Sequence, residues 1–311
     1  MTSAQKITDT ALAHNSAPVV FDRKRVRHNR ERCREKFTPH GFLFDWSARE
    51  LGERLHVINR NFLKAVFLGS RAVQSLVIPK GKVGSAVVMD SCLPYSSLPF
   101  SSVVADEEFF PFAAASLDLV LSNLTLHTVN DLPGALIQIK RSLKPDGLFL
   151  AAMFGGETLH ELRACLMEAE MELRGGISPR VAPFADKQQA GALLQRAGYA
   201  LPVVDSEILT VTYPNLLALM RDLRGMGESN ALAHRDKSFT GKNLFIRAEE
   251  IYRQRYGEAD GRLRASFEIL FLIGWAPHDS QQKPLRPGSA EHSLADALST
   301  EEIKTGEQAK P

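Results

Sequence analysis

Acidic, amide and glycine residues end four successive apolar runs in the first half of the chain. The first run ends at Gly69, the second at Asp90, the third at Asp106 and Glu107, and the fourth at Asn123. If these runs are neighbouring parallel strands, their carboxyl ends meet at one edge of a sheet, where such sheets bind ligands. Carboxylates there can accept hydrogen bonds from ribose hydroxyls or from the amino group of a base. The pattern indicates a ligand-binding site at this edge of the sheet.

Each acidic residue of this pattern also has a structural interpretation. Asp90 could cap a helix that follows its strand, and Asp106 with Glu107 could form a solvated turn. His127 follows the fourth run closely and could orient a substrate, although a histidine there could equally be structural. His127 and Asn123 are the candidate catalytic residues, and both interpretations stay open at this stage.

Continuous apolar runs predict the sheet that would position these residues. They lie at 65–68, 85–89, 102–105, 117–121 and 148–153, and unbroken apolar strands are typical of a parallel sheet covered on both faces. Later strands are predicted over Val203–Thr212 and Phe267–Trp275, with helices in the intervals. The predicted fold class is α/β, a doubly wound, mostly parallel, Rossmann-like sheet of seven strands with extra helices.

Composition along the chain predicts its domain organisation. Residues 1–20 and 281–311 are polar and rich in small residues, which predicts disordered tails. Residues 21–60 are predicted to form N-terminal helices. Residues 61–280 are predicted to form the sheet domain, with a helical insertion at about 214–257.

The segment 21–36 is strongly basic, with eight Lys and Arg residues against three acids. No Pro or Gly interrupts it, which predicts a helix. The helix could be solvated and docked by one edge, or it could present a surface to an acidic partner. A second helix is predicted over 42–55, with Ser47 as its N-cap and Glu50 as the capping-box partner.

Composition and charge exclude several classes of protein. The formal net charge of +2 gives no global field that favours nucleic acid. No apolar run approaches the roughly 18 residues of a membrane span, and the N-terminus lacks a signal core, so a cytoplasmic protein is expected.

The few cysteines argue against a disulfide framework and against structural zinc. His234 and Asp236 have the spacing of two metal ligands but lie in a polar stretch, so no metal site is expected.

Several motifs resemble those of a known family. Residues 105–112 (ADEEFFPF), 117–133 (LDLVLSNLTLHTVNDLP) and 143–147 (LKPDG) resemble class I methyltransferases that depend on S-adenosylmethionine. This resemblance implies S-adenosylmethionine as cofactor. It also implies a cofactor site at the five residues that end the apolar runs: Gly69, Asp90, Asp106, Glu107 and Asn123.

Three later motifs narrow the resemblance. Residues 152–163 (AMFGGETLHELR), 222–230 (DLRGMGESN) and 273–275 (IGW) resemble the family of mitochondrial complex I assembly factors built on this fold. The resemblance implies modification of an arginine in a subunit of respiratory complex I (NADH:quinone oxidoreductase), by hydroxylation rather than methylation. Two alternatives stay open: a non-catalytic assembly factor with a decayed cofactor pocket, and a methyltransferase of the malonyl-carrier-protein type.

The loop after the first strand departs from the methyltransferase pattern. The family has an acid and alternating glycines here, whereas this chain retains only Gly69. Phe67 stands in place of the acid and has no charge to hold an ammonium group. Arg71 and Val73 replace glycines where bare backbone would be needed. The departure predicts weakened, altered or lost binding of S-adenosylmethionine, and Arg71 could pair with a carboxylate instead.

Overall fold

A computed structural model describes residues 19–94, 100–282, 289 and 292–301. The two predicted disordered tails lie mostly outside these residues. The chain divides into two units, residues 1–277 and 278–311. The described part of the second unit contains a four-residue helix, Leu294–Ala297, whose N-cap is Ser293.

The first unit alternates helices with strands. Its helices are α1 (Arg23–Cys33), α2 (Phe42–Val57), α3 (Leu132–Ser142), α4 (His160–Arg174), α5 (Lys187–Arg196), α6 (Leu216–Met226) and α7 (Lys242–Tyr256). Its strands are β1 (Phe62–Leu68), β2 (Val83–Asp90), β3 (Ser101–Val104), β4 (Leu117–Asn123), β5 (Leu143–Phe154), β6 (Ala200–Tyr213) and β7 (Leu263–Trp275).

The seven strands form one sheet in the order β3-β2-β1-β4-β5-β7-β6. Neighbouring strands from β3 to β5 are parallel, and β7 runs antiparallel to both β5 and β6. The predicted mostly parallel, seven-stranded fold is therefore confirmed. Strand order reverses at β1, which pairs with β2 on one side and β4 on the other, and a crevice forms at such a switch point.

The sheet is covered on both faces because its central strands are apolar throughout. Every residue of β4 is buried. Leu119 and Leu121 face one core with α2, α4, α6 and α7, and Val120 faces the other core with α3 and α5. Successive side chains of a strand point to opposite faces, so a continuous apolar run serves both cores.

The structure corrects the predicted start of α2. The helix begins at Phe42, with Gly41 at the N-cap position, so the prediction of a cap at Ser47 is wrong. Ser47 is buried inside the helix, and its hydroxyl donates to Phe44 O at 3.2 Å and to Asn123 Oδ1 at 2.6 Å. The apolar face of α2 begins one turn earlier, at Leu43, and draws that turn onto the sheet.

The basic segment forms α1, as predicted. Asp22 caps it by accepting from Arg25 N at 3.0 Å. Phe21 forms an antiparallel bridge with Leu232, and Asn29 Nδ2 donates to Ser229 O at 2.9 Å. These contacts join α1 to the segment that follows α6. Among the described residues, no helix combines the length and apolarity needed to cross a bilayer.

Candidate active site and the crevice at the strand ends

The loop after β1 turns sharply at Gly69. Its φ of +93° favours glycine, and a Cβ there would lie 2.6 Å from the Thr125 side chain and 3.0 Å from Asn123 O. This glycine is therefore required by the close approach of the loops after β1 and β4. The requirement holds without any ligand.

Asp90 ends β2 and closes the loop after β1. Its Oδ2 accepts from Ser70 N at 2.7 Å and from Ser70 Oγ at 2.8 Å. Its Oδ1 lies 3.6 Å from Arg30 Nη1. The alternative that Asp90 caps a helix does not hold, because its carboxylate accepts from a loop rather than from a helix N-terminus.

Glu107 follows β3 and lies between two arginines of α1. Arg30 Nη1 donates to Glu107 Oε1 at 2.7 Å, and Arg23 Nη2 donates to Glu107 Oε2 and to Asp106 Oδ1, the latter at 2.6 Å. Burial of Glu107 opposes its ionisation, but Arg30 and Arg23 outweigh burial and lower its pKa to about 2. Glu107 is only 2% exposed, so the alternative of a solvated turn is wrong for this residue.

Arg30 fills the space between these loops and is 1% exposed. Its guanidinium also donates to Ser91 Oγ at 3.0 Å, Thr125 O at 3.3 Å and Thr128 Oγ1 at 3.2 Å. The sequence analysis missed it as a site residue. A signal was present, since Arg23 and Arg30 lie seven positions apart and so fall on the same helical stripe as the buried Val26.

Asn123 is held by α2, and both polar atoms of its amide are already hydrogen-bonded within the chain. Its Oδ1 accepts from Ser47 Oγ at 2.6 Å, and its Nδ2 donates to Phe44 O at 3.0 Å. It lies at the switch-point crevice, where the sequence placed it. The oxygen and the nitrogen of its amide both hold α2 against β4.

In the described conformation, the acids of the crevice are already engaged by other residues of the chain. Asp90 accepts from Ser70, and Asp106 and Glu107 pair with arginines of α1. Phe67 is buried in the core and packs edge-on against Phe100. It offers nothing to an ammonium group.

Arg71 pairs with a carboxylate, the alternative that the sequence left open. It is fully buried, and its Nη1 donates to Glu228 Oε1 at 2.6 Å and to Met226 O at 3.0 Å. Its Nη2 donates to Leu124 O at 2.9 Å, and its guanidinium stacks 4.2 Å from the centre of the Phe44 ring. Arg71 thus ties the loops after β1 and β4 to the end of α6.

His127 meets the same carboxylate from the other side. Its Nε2 lies 3.1 Å from Glu228 Oε2, and its ring packs edge-on against Phe154 and Phe184. Its Nδ1 is buried and has no hydrogen-bond partner among the described residues. Burial lowers the pKa of His127, which Glu228 opposes. A neutral imidazole that donates from Nε2 to Glu228 leaves the Nδ1 lone pair available as a base.

Glu228 belongs to the motif at 222–230 but was not predicted as a site residue. Burial opposes its ionisation, yet His127 and Arg71 hold its pKa well below the usual range. Its partners are 101 and 157 positions away in sequence. Only the motif itself could have drawn attention to it.

A cavity of about 230 Å³ lies beside this cluster. Its walls are mostly apolar and include the aromatic rings of Phe154, Phe184, Phe245 and Phe267. Two charged residues also line it, Glu228 and Arg180, and Arg180 pairs with Glu170 at 2.7 Å. It lies where β5 ends and α4 begins. An apolar cavity with few polar groups is typical of a small-molecule or side-chain binding site.

The weaker candidate residues do not assemble into a metal site. Asp236 pairs with Arg174 at 2.9 Å. Within the described ranges, no three His, Cys, Asp or Glu side chains come together in a way that could hold a metal ion. Burial raises the pKa of the Cys92 thiol to about 12, so it is not a nucleophile at neutral pH.

Comparison with known proteins agrees with the fold of the sheet. Residues 87–151 match the family described as a methyltransferase domain. A crystal structure described as a methyltransferase of Bacillus halodurans C-125 covers 74% of this chain and 99% of its own, with a TM-score of 0.50 and 12% identity, which supports the fold alone. The protein therefore has the class I methyltransferase fold that S-adenosylmethionine-dependent enzymes use.

Closer relatives define the family. The mitochondrial arginine-hydroxylase NDUFAF5 of Homo sapiens is 41% identical over 288 residues, covering 89% of this chain and 83% of the human protein. The Danio rerio protein of the same name is 50% identical over 201 residues, which span 65% of this chain but less than two thirds, 62%, of the fish protein. The chain belongs to this NDUFAF5 family, and the resemblance found in its motifs is confirmed.

A more distant group of relatives covers less of the chain. The malonyl-[acyl-carrier protein] O-methyltransferase of Xylella fastidiosa (strain M23) is 36% identical over 179 residues, or 58% of each chain. The alternative of a small-molecule methyltransferase is thus less favoured than membership of the NDUFAF5 family.

Proposed function

We propose that this chain is an enzyme that modifies an arginine side chain of a protein substrate. The observation that carries the proposal is the alignment over 83% of a human relative whose name is arginine-hydroxylase. Hydroxylation is the favoured reaction. It replaces a C–H hydrogen of the arginine by hydroxyl, and it consumes dioxygen, two protons and two electrons from an external reductant, with release of one water molecule.

The cluster beside the cavity supports this proposal chemically. Glu228 and the aromatic rings of Phe154 and Phe184 are groups that can attract a guanidinium, the first by charge and the others by their π faces. His127 is not among the residues that line the cavity, but its ring contacts both Glu228 and Phe154, so it could exchange a proton with a substrate through Glu228.

The proposed client is a subunit of respiratory complex I. This step rests on the motif resemblance and on the name NDUFAF5 borne by the relatives. The proposal places this protein in the cytoplasm, where it would be peripheral to the inner membrane through its client. The exposed face of α1, which includes Lys24, Arg27 and Arg32, is the proposed contact with an acidic part of a partner.

Methylation with S-adenosylmethionine is the second candidate reaction. It is favoured by the family match at 87–151 and by the retention of acids at Asp90, Asp106 and Glu107. In the conformation described here those acids bind α1, so this candidate requires the crevice to open. Peptide masses separate the two reactions, since hydroxylation adds one oxygen atom and methylation adds one methylene unit.

The test compares complex I subunits from the native host with and without this chain. Peptide mass spectrometry is expected to find an arginine with one added oxygen in the wild-type strain and its unmodified form in the deletion strain. Re-expression of the wild-type chain restores the modification, and the Glu228→Gln variant does not. If every arginine of the complex has the same mass in both strains, the proposal fails, and a non-catalytic assembly role would explain any remaining assembly defect.

A further inference from the structure

In this chain, α1 occupies the crevice where the methyltransferase fold holds a nucleoside. The three acids expected to bind ribose and adenine are Asp90, Asp106 and Glu107, and each meets an arginine of α1 at 3.6, 2.6 and 2.7 Å respectively. We propose that α1 and a nucleoside compete for this crevice, so that S-adenosylmethionine or its product binds only when α1 is released. The inference concerns the cofactor crevice alone and does not depend on which side chain the enzyme modifies.

The arginines of α1 and a nucleoside can bind the same acids, because both offer hydrogen-bond donors. The donors are the guanidinium groups of the arginines and the hydroxyl and amino groups of the nucleoside. The arginines also neutralise the acids, which a nucleoside does not do. Buried Glu107 would carry an uncompensated charge without Arg30 and Arg23, and such a charge is costly. The closed form is therefore a stable state of the crevice.

The available space excludes simultaneous occupation. Arg30 is 1% exposed and hydrogen-bonds to the loops after β2, β3 and β4. A nucleoside that contacted Asp90 and Glu107 would overlap the guanidinium of Arg30. Binding of one occupant thus requires departure of the other.

The composition of α1 allows that departure. Its buried apolar side chains are Val26 and Cys33, and most of its remaining contacts are polar. Helices held mainly by polar contacts have few apolar contacts to break on opening. Short 3-10 turns over Arg34–Lys36 and Thr38–His40 connect it to α2.

The competition is tested with S-adenosylhomocysteine as the probe on the full chain. Titration calorimetry compares the wild type, the double variant Arg23→Ala with Arg30→Ala, and the control Arg27→Ala, which removes an exposed arginine of the same helix. The double variant is expected to bind the probe at least about tenfold more tightly than the wild type. The reason is that α1 can no longer pair with the acids and keep the crevice closed. The control is expected to bind as the wild type does.

Hydrogen exchange supplies the second readout. Saturating S-adenosylhomocysteine is expected to increase amide exchange over Arg23–Cys33 in the wild type. Arg30→Gln keeps a hydrogen-bonding group beside Glu107 and serves if the double variant does not fold. The proposal is overturned if the probe binds the wild type while α1 stays protected, or if folded variants bind it no more tightly than the wild type.

Discussion

The imidazole of His127 shares one carboxylate with the guanidinium of Arg71. Glu228 Oε2 lies 3.1 Å from His127 Nε2, and Glu228 Oε1 lies 2.6 Å from Arg71 Nη1. The carboxylate therefore fixes the tautomer of the histidine while the arginine holds the carboxylate in place. A histidine that is oriented by a carboxylate is a common arrangement for proton transfer.

Substitution of His127 by Gln is expected to lower the rate of client modification about 100-fold, the usual contribution of a general base. Glutamine is close to histidine in size, so the fold should be retained. Since burial lowers the pKa of His127, the neutral form persists below the usual histidine range. The wild-type rate should fall only at a pH below that range.

Measured pH–rate profiles separate a proton-transfer role from a structural one. The acid limb should disappear in His127→Gln, while the control His160→Gln, a partly exposed histidine at the start of α4, should retain it. A variant that modifies the client at the wild-type rate would remove His127 from the candidate catalytic residues.

The buried pair of Arg71 and Glu228 is expected to be strongly coupled in stability. Arg71→Met and Glu228→Gln each leave the partner's charge unpaired, which costs about 3–5 kcal/mol for a buried ion pair. The double variant should lose less than the sum of the two, because neither charge is then left alone. Urea denaturation of the four proteins measures the coupling free energy.

Two outcomes of this cycle have different meanings. Additive losses, within about 0.5 kcal/mol, would show that the two residues do not depend on each other. The matched surface pair is Arg247 with Glu250, whose contact at 2.9 Å is partly exposed. The same cycle there should give a coupling of at most about 1 kcal/mol.

The sequence predicted the sheet well because its signal is local. A buried parallel strand is a continuous apolar run, and β1, β2 and β4 are such runs. The end of each run places Gly69, Asp90 and Asn123 at the crevice edge. Element type and order follow from that pattern without knowledge of tertiary contacts.

The partners of the site residues were not predictable, because they are remote in sequence. Arg30 and Glu107 are 77 positions apart, and Arg71 and Glu228 are 157 apart. A basic helix is usually a solvated one, and the helical stripe that Arg23 and Arg30 share with Val26 does not tell which carboxylates they meet. The prediction of Ser47 as the N-cap of α2 failed for a related reason. Its hydroxyl bonds to Asn123 across the core rather than to the N-terminus of its own helix.

Acid is expected to weaken the attachment of α1 through Glu107. Its pKa in the folded protein is about 2, against a usual value of 4.5. A lowered pKa stabilises the fold at any pH above the usual value. This contribution is lost as the pH falls from about 4.5 towards 2. The Glu107→Gln variant lacks the ionisable group, so its stability has no such contribution to lose.

Unfolding free energies of the wild type and Glu107→Gln, measured between pH 7 and pH 2.5, test this expectation. The difference between the two proteins should be largest near neutral pH and should shrink as the pH drops below about 4.5. Glu250→Gln is the matched surface substitution. A difference for Glu107→Gln that stays constant over the whole range would show that its carboxylate does not gain its stability from Arg30 and Arg23.

Charge reversal on the exposed face of α1 is expected to weaken capture of an acidic client. The double variant Lys24→Glu with Arg27→Glu replaces two cations that face solvent, while the inward Arg23 and Arg30 stay in place. Loss of opposite charge at an interface mainly slows association and reduces its dependence on salt. The matched control, Lys187→Glu with Arg196→Glu, makes the same charge change at exposed positions of α5. Association rates with purified complex I subunits at low and high ionic strength should fall for the α1 variant alone, and an equal fall in both variants would show that net charge, rather than this face, attracts the client.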